Sequence, residues 1–138
     1  MATICLNMIV KNEKRVVTRC LTSVKPFIDY WVIADTGSSD GTQAEIRSCL
    51  NEIPGVLYER PWVDFSHNRN EVLNASQNKG DYILLIDADE TLSLLSPLNK
   101  SALVQDYYLI KMIGKTSEFL KMFLIKKRFS LELARICP

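Results

Sequence analysis

Two carboxylates, Asp87 and Asp89, stand one residue apart directly behind the most apolar run of the chain, Tyr82-Ile83-Leu84-Leu85-Ile86. Where a strand ends, the chain leaves its pleat, and side chains two positions apart can turn toward one point and share a divalent cation. Hard carboxylate oxygens favour Mg²⁺ or Mn²⁺, usually held jointly with phosphate oxygens of a substrate. The plainer reading of the same pair is that the acids are solvated or cap the following turn. A further acid, Asp35, closes the apolar run Tyr30-Trp31-Val32-Ile33-Ala34 and leads into Thr36-Gly37-Ser38-Ser39-Asp40-Gly41-Thr42, a cluster of turn formers. His67 is the sole histidine and has no Cys or second His beside it to form a metal cage, so it reads as a helix-surface residue.

These residues need elements to place them. Thr3 to Val10 is a short apolar run suited to a strand, and Val16, Val17, Cys20, Leu21 and Val24 follow at helical spacing until Pro26 stops the helix. A second strand ends at Asp35, and a helix starting near Thr42 carries Ile46, Cys49, Leu50 and Ile53 on one face. Gly55 to Glu59 is a third strand, and Phe65 to Asn78 a polar helix with Gly80 as its C-terminal stop. Tyr82 to Ile86 suits a central strand buried on both faces. The repeated strand–helix alternation predicts a parallel sheet with right-handed crossovers, and such sheets place ligands outside the carboxyl ends of their strands. Asp35 and Asp87 both fall at such ends. Farther on, Asp106 to Ile113 and Phe119 to Ile125 read as a hairpin around Gly114-Lys115-Thr116-Ser117, while Lys126-Lys127-Arg128 and Leu131 to Pro138 show no clear period.

Composition narrows the class. With 138 residues, 47% hydrophobic and 24% charged, the chain is long enough for one core-bearing domain and too apolar for disorder. Neither internal repeats nor a linker are visible, so residues 1–138 are read as a single domain. Seventeen Lys and Arg stand against sixteen Asp and Glu, which disfavours a nucleic-acid surface. No stretch approaches the roughly 20 apolar residues of a membrane span, and Met1 to Val10 runs into Lys11 without a cationic leader, so a cytoplasmic protein is expected. Cys5, Cys20, Cys49 and Cys137 form no C-x-x-C pair and read as buried thiols in a reducing compartment.

Four segments taken in order resemble the landmarks of the family-2 glycosyltransferases with the GT-A fold. They are Val10-Lys11-Asn12-Glu13, Asp35 with Gly37 to Thr42, Phe65-Ser66-His67-Asn68-Arg69-Asn70, and Gly80-Asp81-Tyr82 through Glu90. The resemblance covers about residues 3–92 and leaves 93–138 weakly assigned. It implies an α/β fold: a Rossmann-like nucleotide-binding half with a mostly parallel central sheet flanked by helices. It also implies a nucleotide-sugar donor, UDP-linked, with Mn²⁺ or Mg²⁺ as cofactor, and inverting hexosyl transfer. On this likeness Asp35 would accept a hydrogen bond from a uracil N–H, Arg69 would face the nucleotide or its phosphates, and Asp87 would hold the ribose or the metal. Asp89 would hold the metal directly. Lys11 and Glu13 complete the nucleotide-binding set, Lys11 standing where many relatives carry an aromatic that stacks on the base. Gly37 and Gly41 would permit the turn, with Ser38 and Asp40 as its scaffold.

The general base that inverting relatives use lies after the D-x-D, and here Asp106, Glu118 and Glu132 sit in no recognisable motif. The chain is therefore read as stopping after the nucleotide-binding half, with the acceptor unspecified and transfer activity in question. One alternative is a non-catalytic remnant that associates with further copies of itself through apolar surface. Another starts from Leu84 to Leu92, which is also similar to the D-x-D-x-T motif of haloacid-dehalogenase-like phosphatases, with Asp87 as nucleophile and Asp89 as acid/base. That chemistry needs a downstream acidic pair and a motif that opens the fold, whereas three strand units precede this one.

Overall fold

Seven consecutive residues of β1 (Ile4–Val10) are apolar but for one, and the strand lies in the middle of the sheet with its residues almost all buried. The computed structural model describes residues 1–126. Elements follow in the order β1, α1 (Lys14–Val24), β2 (Tyr30–Asp35), α2 (Thr42–Cys49), β3 (Gly55–Glu59), α3 (Phe65–Ala75), β4 (Tyr82–Leu85), β5 (Tyr107–Ile113) and β6 (Glu118–Lys126). The six strands form one sheet in the order β3-β2-β1-β4-β6-β5. The first four pair in parallel, and the β5–β6 hairpin adds antiparallel strands beside β4. Mostly parallel, flanked by helices and Rossmann-like, the fold is the α/β class expected from the alternation.

Period-two alternation splits β1 between two cores. Ile4, Leu6, Met8 and Val10 join Val17, Leu21 and Val24 of α1 and Ile46 of α2 on one face. Cys5 joins Val32, Ala34 and Val72 on the other face, beneath α3. Strands buried on both faces tolerate few polar residues, yet Asn7 of β1 is 0% exposed. Cys5 and Cys20 are buried and Cys49 partly so, all as free thiols; burial pushes the Cys5 and Cys20 thiols up to about 12. Such thiols are inert. No helix among the described residues is long and apolar enough to cross a membrane.

Two expectations shift in detail. Pro26 follows α1 as anticipated, but it does so inside a short 3-10 turn, Lys25–Phe27, that begins at the residue after the helix. The expected stop at Gly80 is not where α3 ends. The helix finishes at Ala75, and Asn78 adopts the left-handed conformation at φ 68°, which its short side chain tolerates. Gly80 is small for another reason: a Cβ there would meet the Cys5 amide nitrogen at 3.0 Å. The hairpin after residue 106 forms as read, its turn closed by the Gly114 amide donating to the Ser117 carbonyl at 2.9 Å. Lys127, Arg128, Glu132 and Cys137, with the stretch Leu131 to Pro138, lie outside the described residues.

Candidate functional site

β1, β2 and β4 are parallel neighbours, so their carboxyl ends share one edge of the sheet. Val10 is in register with Asp35, and β4 on the other side of β1 leads into Asp87. The loops leaving these strands are held together by side-chain bonds to backbone. Asn12 donates its amide to Ser38 Oγ at 2.8 Å and accepts from the Ser39 amide on its own Oδ1 at 2.8 Å. The Glu13 amide donates to Thr42 Oγ1 at 3.0 Å, and the Lys14 amide to Asp40 Oδ2 at 3.2 Å. Asp40 also accepts from the Thr42 amide and hydroxyl, so Ser38 and Asp40 serve as scaffold. The turn requires glycine where φ is +112° at Gly37 and +96° at Gly41.

A cleft of about 370 Å³ opens at this edge. Lys11, Glu13, Arg69 and Asp87 line it with Ile9, Val10 and Thr36, and Trp62 and Phe65 add aromatic surface. Both aromatics are exposed, at 50% and 62%. Asp35 lines an adjoining hollow of about 380 Å³ together with Gln43, Glu59 and Arg60, and Thr36 belongs to both. Asp89 is exposed beside the cleft and lines neither. Four of the six residues singled out from sequence thus share one concavity, the fifth sits next door, and the sixth is on the rim. His67 lies on the exposed surface of α3 with Nε2 3.5 Å from Glu71, apart from the cleft.

Asp35 is 2% exposed, and its own turn occupies it. Oδ2 accepts from the Gly37 amide at 3.3 Å, the Ser38 amide at 3.0 Å and Gln43 Nε2 at 2.8 Å, while Oδ1 accepts from the Ser38 hydroxyl. Burial would raise the carboxyl pKa, but these hydrogen bonds outweigh it and hold Asp35 below the usual carboxylate range. Since the folded value is depressed, the stability that Asp35 contributes is complete above its unfolded value, near pH 4. It is lost as pH falls through the lower folded value. Asp35→Asn is therefore expected to melt below wild type at neutral pH, and the gap should close on acidification from about pH 4 downward. A gap independent of pH between 2 and 7 in thermal melts would contradict this account.

Arg69 projects from α3 beneath the cleft with its side chain only 17% exposed. Asn7 Oδ1 accepts from Nη1 at 3.3 Å, Asp87 Oδ1 lies 3.7 Å from Nη2, and the Phe65 ring centroid is 5.2 Å from the guanidinium carbon. Burial pulls its pKa down while Asp87 and Glu90 push back, and a guanidinium keeps its proton throughout. Glu13 is shifted upward, by burial first and then by the charges of Asp89, Asp40 and Asp87. Acidic charge thus gathers at the rim around Glu13, with Arg69 held beside it against Asp87. No group of three His, Cys, Asp or Glu side chains converges as a ready metal cage among the described residues. Asp87 and Asp89 are two exposed hard-oxygen donors, the ligand type that would suit Mg²⁺ or Mn²⁺.

Three participants have no assigned role from sequence. Asn7 positions Arg69 and could be noticed as the one polar residue in an otherwise apolar strand. Glu90 folds back so that Oε1 accepts from the Asp87 amide at 2.8 Å. Lys121 reaches in from β6, with Nζ 2.8 Å from Glu90 Oε1 and 3.3 Å from Asp87 Oδ2. It is the single cation within Phe119 to Ile125, a signal that only the sheet register could convert into a location.

The sequence model of Glycosyl transferase family 2 matches residues 5–96. A TPR repeat-containing protein of Synechococcus elongatus is 42% identical over 95 residues, 68% of this chain and 22% of its own. The SPbeta prophage-derived glycosyltransferase SunS of Bacillus subtilis is 31% identical over 103 residues, 75% of this chain and 23% of its own. The chain thus spans less than a quarter of the length of either relative. Among solved structures, S. aureus TarS 1–349 in complex with UDP superposes with a TM-score of 0.52 at 21% identity, over 63% of this chain and 27% of that one. Glucosyl-3-phosphoglycerate synthase from Mycobacterium tuberculosis, in complex with Mn²⁺, UDP and glucosyl-3-phosphoglycerate, gives 0.50 at 19% identity, over 63% and 33%. These superpositions concern the fold.

Proposed function

The chain belongs to glycosyl transferase family 2, and from that membership we propose that its cleft binds a UDP-linked sugar donor with a divalent cation at Asp87 and Asp89. The observation that carries the proposal is the shared cleft of Lys11, Glu13, Arg69 and Asp87, with Asp35 held ionised in the adjoining hollow. Asp35 would take the uracil N–H: Oδ1 accepts from one hydroxyl and keeps lone-pair capacity, and a depressed pKa keeps the group an acceptor. Arg69, desolvated and already oriented by Asn7, would meet the diphosphate without losing much side-chain entropy. Lys11 extends the positive side of the cleft, and Trp62 and Phe65 give the wall an apolar surface. A bound Mn²⁺ or Mg²⁺ would supply Lewis-acid neutralisation of charge on a departing diphosphate.

The proposal covers the donor half of the reaction. Of the acids after the D-x-D motif, Asp106 is exposed ahead of β5, and Glu118 is exposed and paired with Lys111 at 2.9 Å; neither lines the cleft. No general base is assigned, and the acceptor is left open.

UDP with Mn²⁺ is expected to raise the melting temperature. At a hundredfold excess over Kd the stabilisation is about 2.7 kcal/mol, or roughly 10 °C for a chain of this size. Asp89→Ala should remove the Mn²⁺-dependent part of the shift and leave the ligand-free melt near wild type, since its carboxylate is exposed. Coincident wild-type melts with and without both ligands would overturn the reading.

A further inference from the structure

We propose that Lys121 is a built-in counter-ion for Asp87, which holds Asp87 Oδ2 in place of a metal and must yield it when a divalent cation arrives. The inference deepens the metal-assisted donor reading and rests on it.

The placement follows from the sheet. β4 and β6 pair antiparallel with Tyr82 opposite Lys126 and Leu84 opposite Leu124. Beyond Leu124 the strand β6 runs on past the end of β4 and carries Lys121 to the loop that holds Asp87. The ammonium is half-buried, 2.8 Å from Glu90 Oε1 and 3.3 Å from Asp87 Oδ2, with Arg69 on the far oxygen of the same carboxylate at 3.7 Å. Asp87 is therefore flanked by a cation on each side, and Glu90 is tied to the same ammonium while its Oε1 receives the Asp87 amide. A metal ion approaching Asp87 meets a carboxylate already compensated. Its affinity is set by the difference between its own attraction and the contact it displaces, so an intrinsic cation here weakens metal binding. β6 lies beyond the span matched by the family's sequence model, so this cation comes from a part of the chain that the matched residues do not contain.

Lys also differs from an apolar filler in what happens after displacement. The freed ammonium remains tethered to a rigid strand at the cleft edge, where the donor's phosphates would bring new negative charge. With the ammonium retained, a dication and a diphosphate arriving together would change the net charge of the site little.

The test measures Mn²⁺ binding directly, from the electron paramagnetic resonance signal of free Mn²⁺, with no donor or acceptor present. Lys121→Met should bind Mn²⁺ about fivefold more tightly than wild type, the scale of a partly screened ion pair. Lys121→Gln should move the same way, Lys121→Arg should stay at the wild-type value, and adding Asp87→Asn to Lys121→Met should erase the gain. In EDTA, Lys121→Met should melt below wild type because Asp87 and Glu90 lose their shared cation, and Mn²⁺ should restore part of the deficit. Wild-type binding with equal or weaker affinity in Lys121→Met and Lys121→Gln overturns the counter-ion role and leaves the metal reading standing. Absence of Mn²⁺ binding in wild type and in both variants overturns the metal reading itself, and this inference with it.

Discussion

Asn7→Leu is expected to cost about 3 kcal/mol of stability in urea titration, a large loss for a near-isosteric change, because a buried network loses its centre. Asn7 Nδ2 donates to the Val72 carbonyl at 2.9 Å and to Ser76 Oγ at 2.7 Å, and Oδ1 accepts from Arg69 at 3.3 Å. The Val72 carbonyl keeps other partners in the Ser76 amide and hydroxyl. The loss therefore falls mainly on Arg69, a desolvated cation left with the Asp87 carboxylate at 3.7 Å and the Phe65 ring at 5.2 Å. The same variant should lose most of the UDP–Mn²⁺ melting shift, as the guanidinium is no longer aimed into the cleft. A loss below about 1 kcal/mol would mean that α3 holds Arg69 without help from β1.

Gly55→Ala is the second large effect, with an expected loss of about 3 kcal/mol, the upper range for forcing extra volume into a packed site. In the parallel pairing of β2 with β3, Gly55 is opposite Trp31, and the indole lies across the glycine. A Cβ at 55 would come within 2.2–2.3 Å of Trp31 Cγ, Cδ2 and Cε2. These atoms belong to the five-membered ring, and the indole cannot swing away freely: it is 6% exposed, and its N–H donates to the Ile53 carbonyl at 2.8 Å. Gly114→Ala is the matched control, since a Cβ there meets nothing nearer than 3.4 Å and φ is not positive. Equal midpoints for the two variants would show that the sheet edge yields more readily than its geometry implies.

What could be read from sequence follows the range over which the determining forces act. Strand runs such as Tyr30–Asp35 and Gly55–Glu59 are local patterns of burial and turn chemistry, and they form at the residues where those patterns begin and end. The glycines at 37 and 41 were legible for the same reason, because a tight strand-to-helix turn needs a left-handed backbone within a few residues. The end of α3 was not: Asn78 and Gly80 are both plausible terminators, and only the proximity of Gly80 to the Cys5 backbone assigns the glycine to packing. Asn7 and Lys121 escaped assignment because their partners are 62 and 31 or more residues away and are set by sheet register. Asp35 shows a subtler limit. Its place at a strand end was readable, but how fully its own turn would engage the carboxylate depended on the fold of Ser38 and Gln43 around it.

The stitching of residues 12–14 to residues 38–42 has a consequence for how this edge can change over time. Four bonds tie two loops that come from different strands, and in each a side chain of one loop answers a backbone amide of the other. Neither loop can be remodelled alone without stranding amides in its neighbour. A transplant that aims to alter the ligand preference of this edge must carry both segments as one cassette, and a single-loop chimera should lose order on the side that was left untouched.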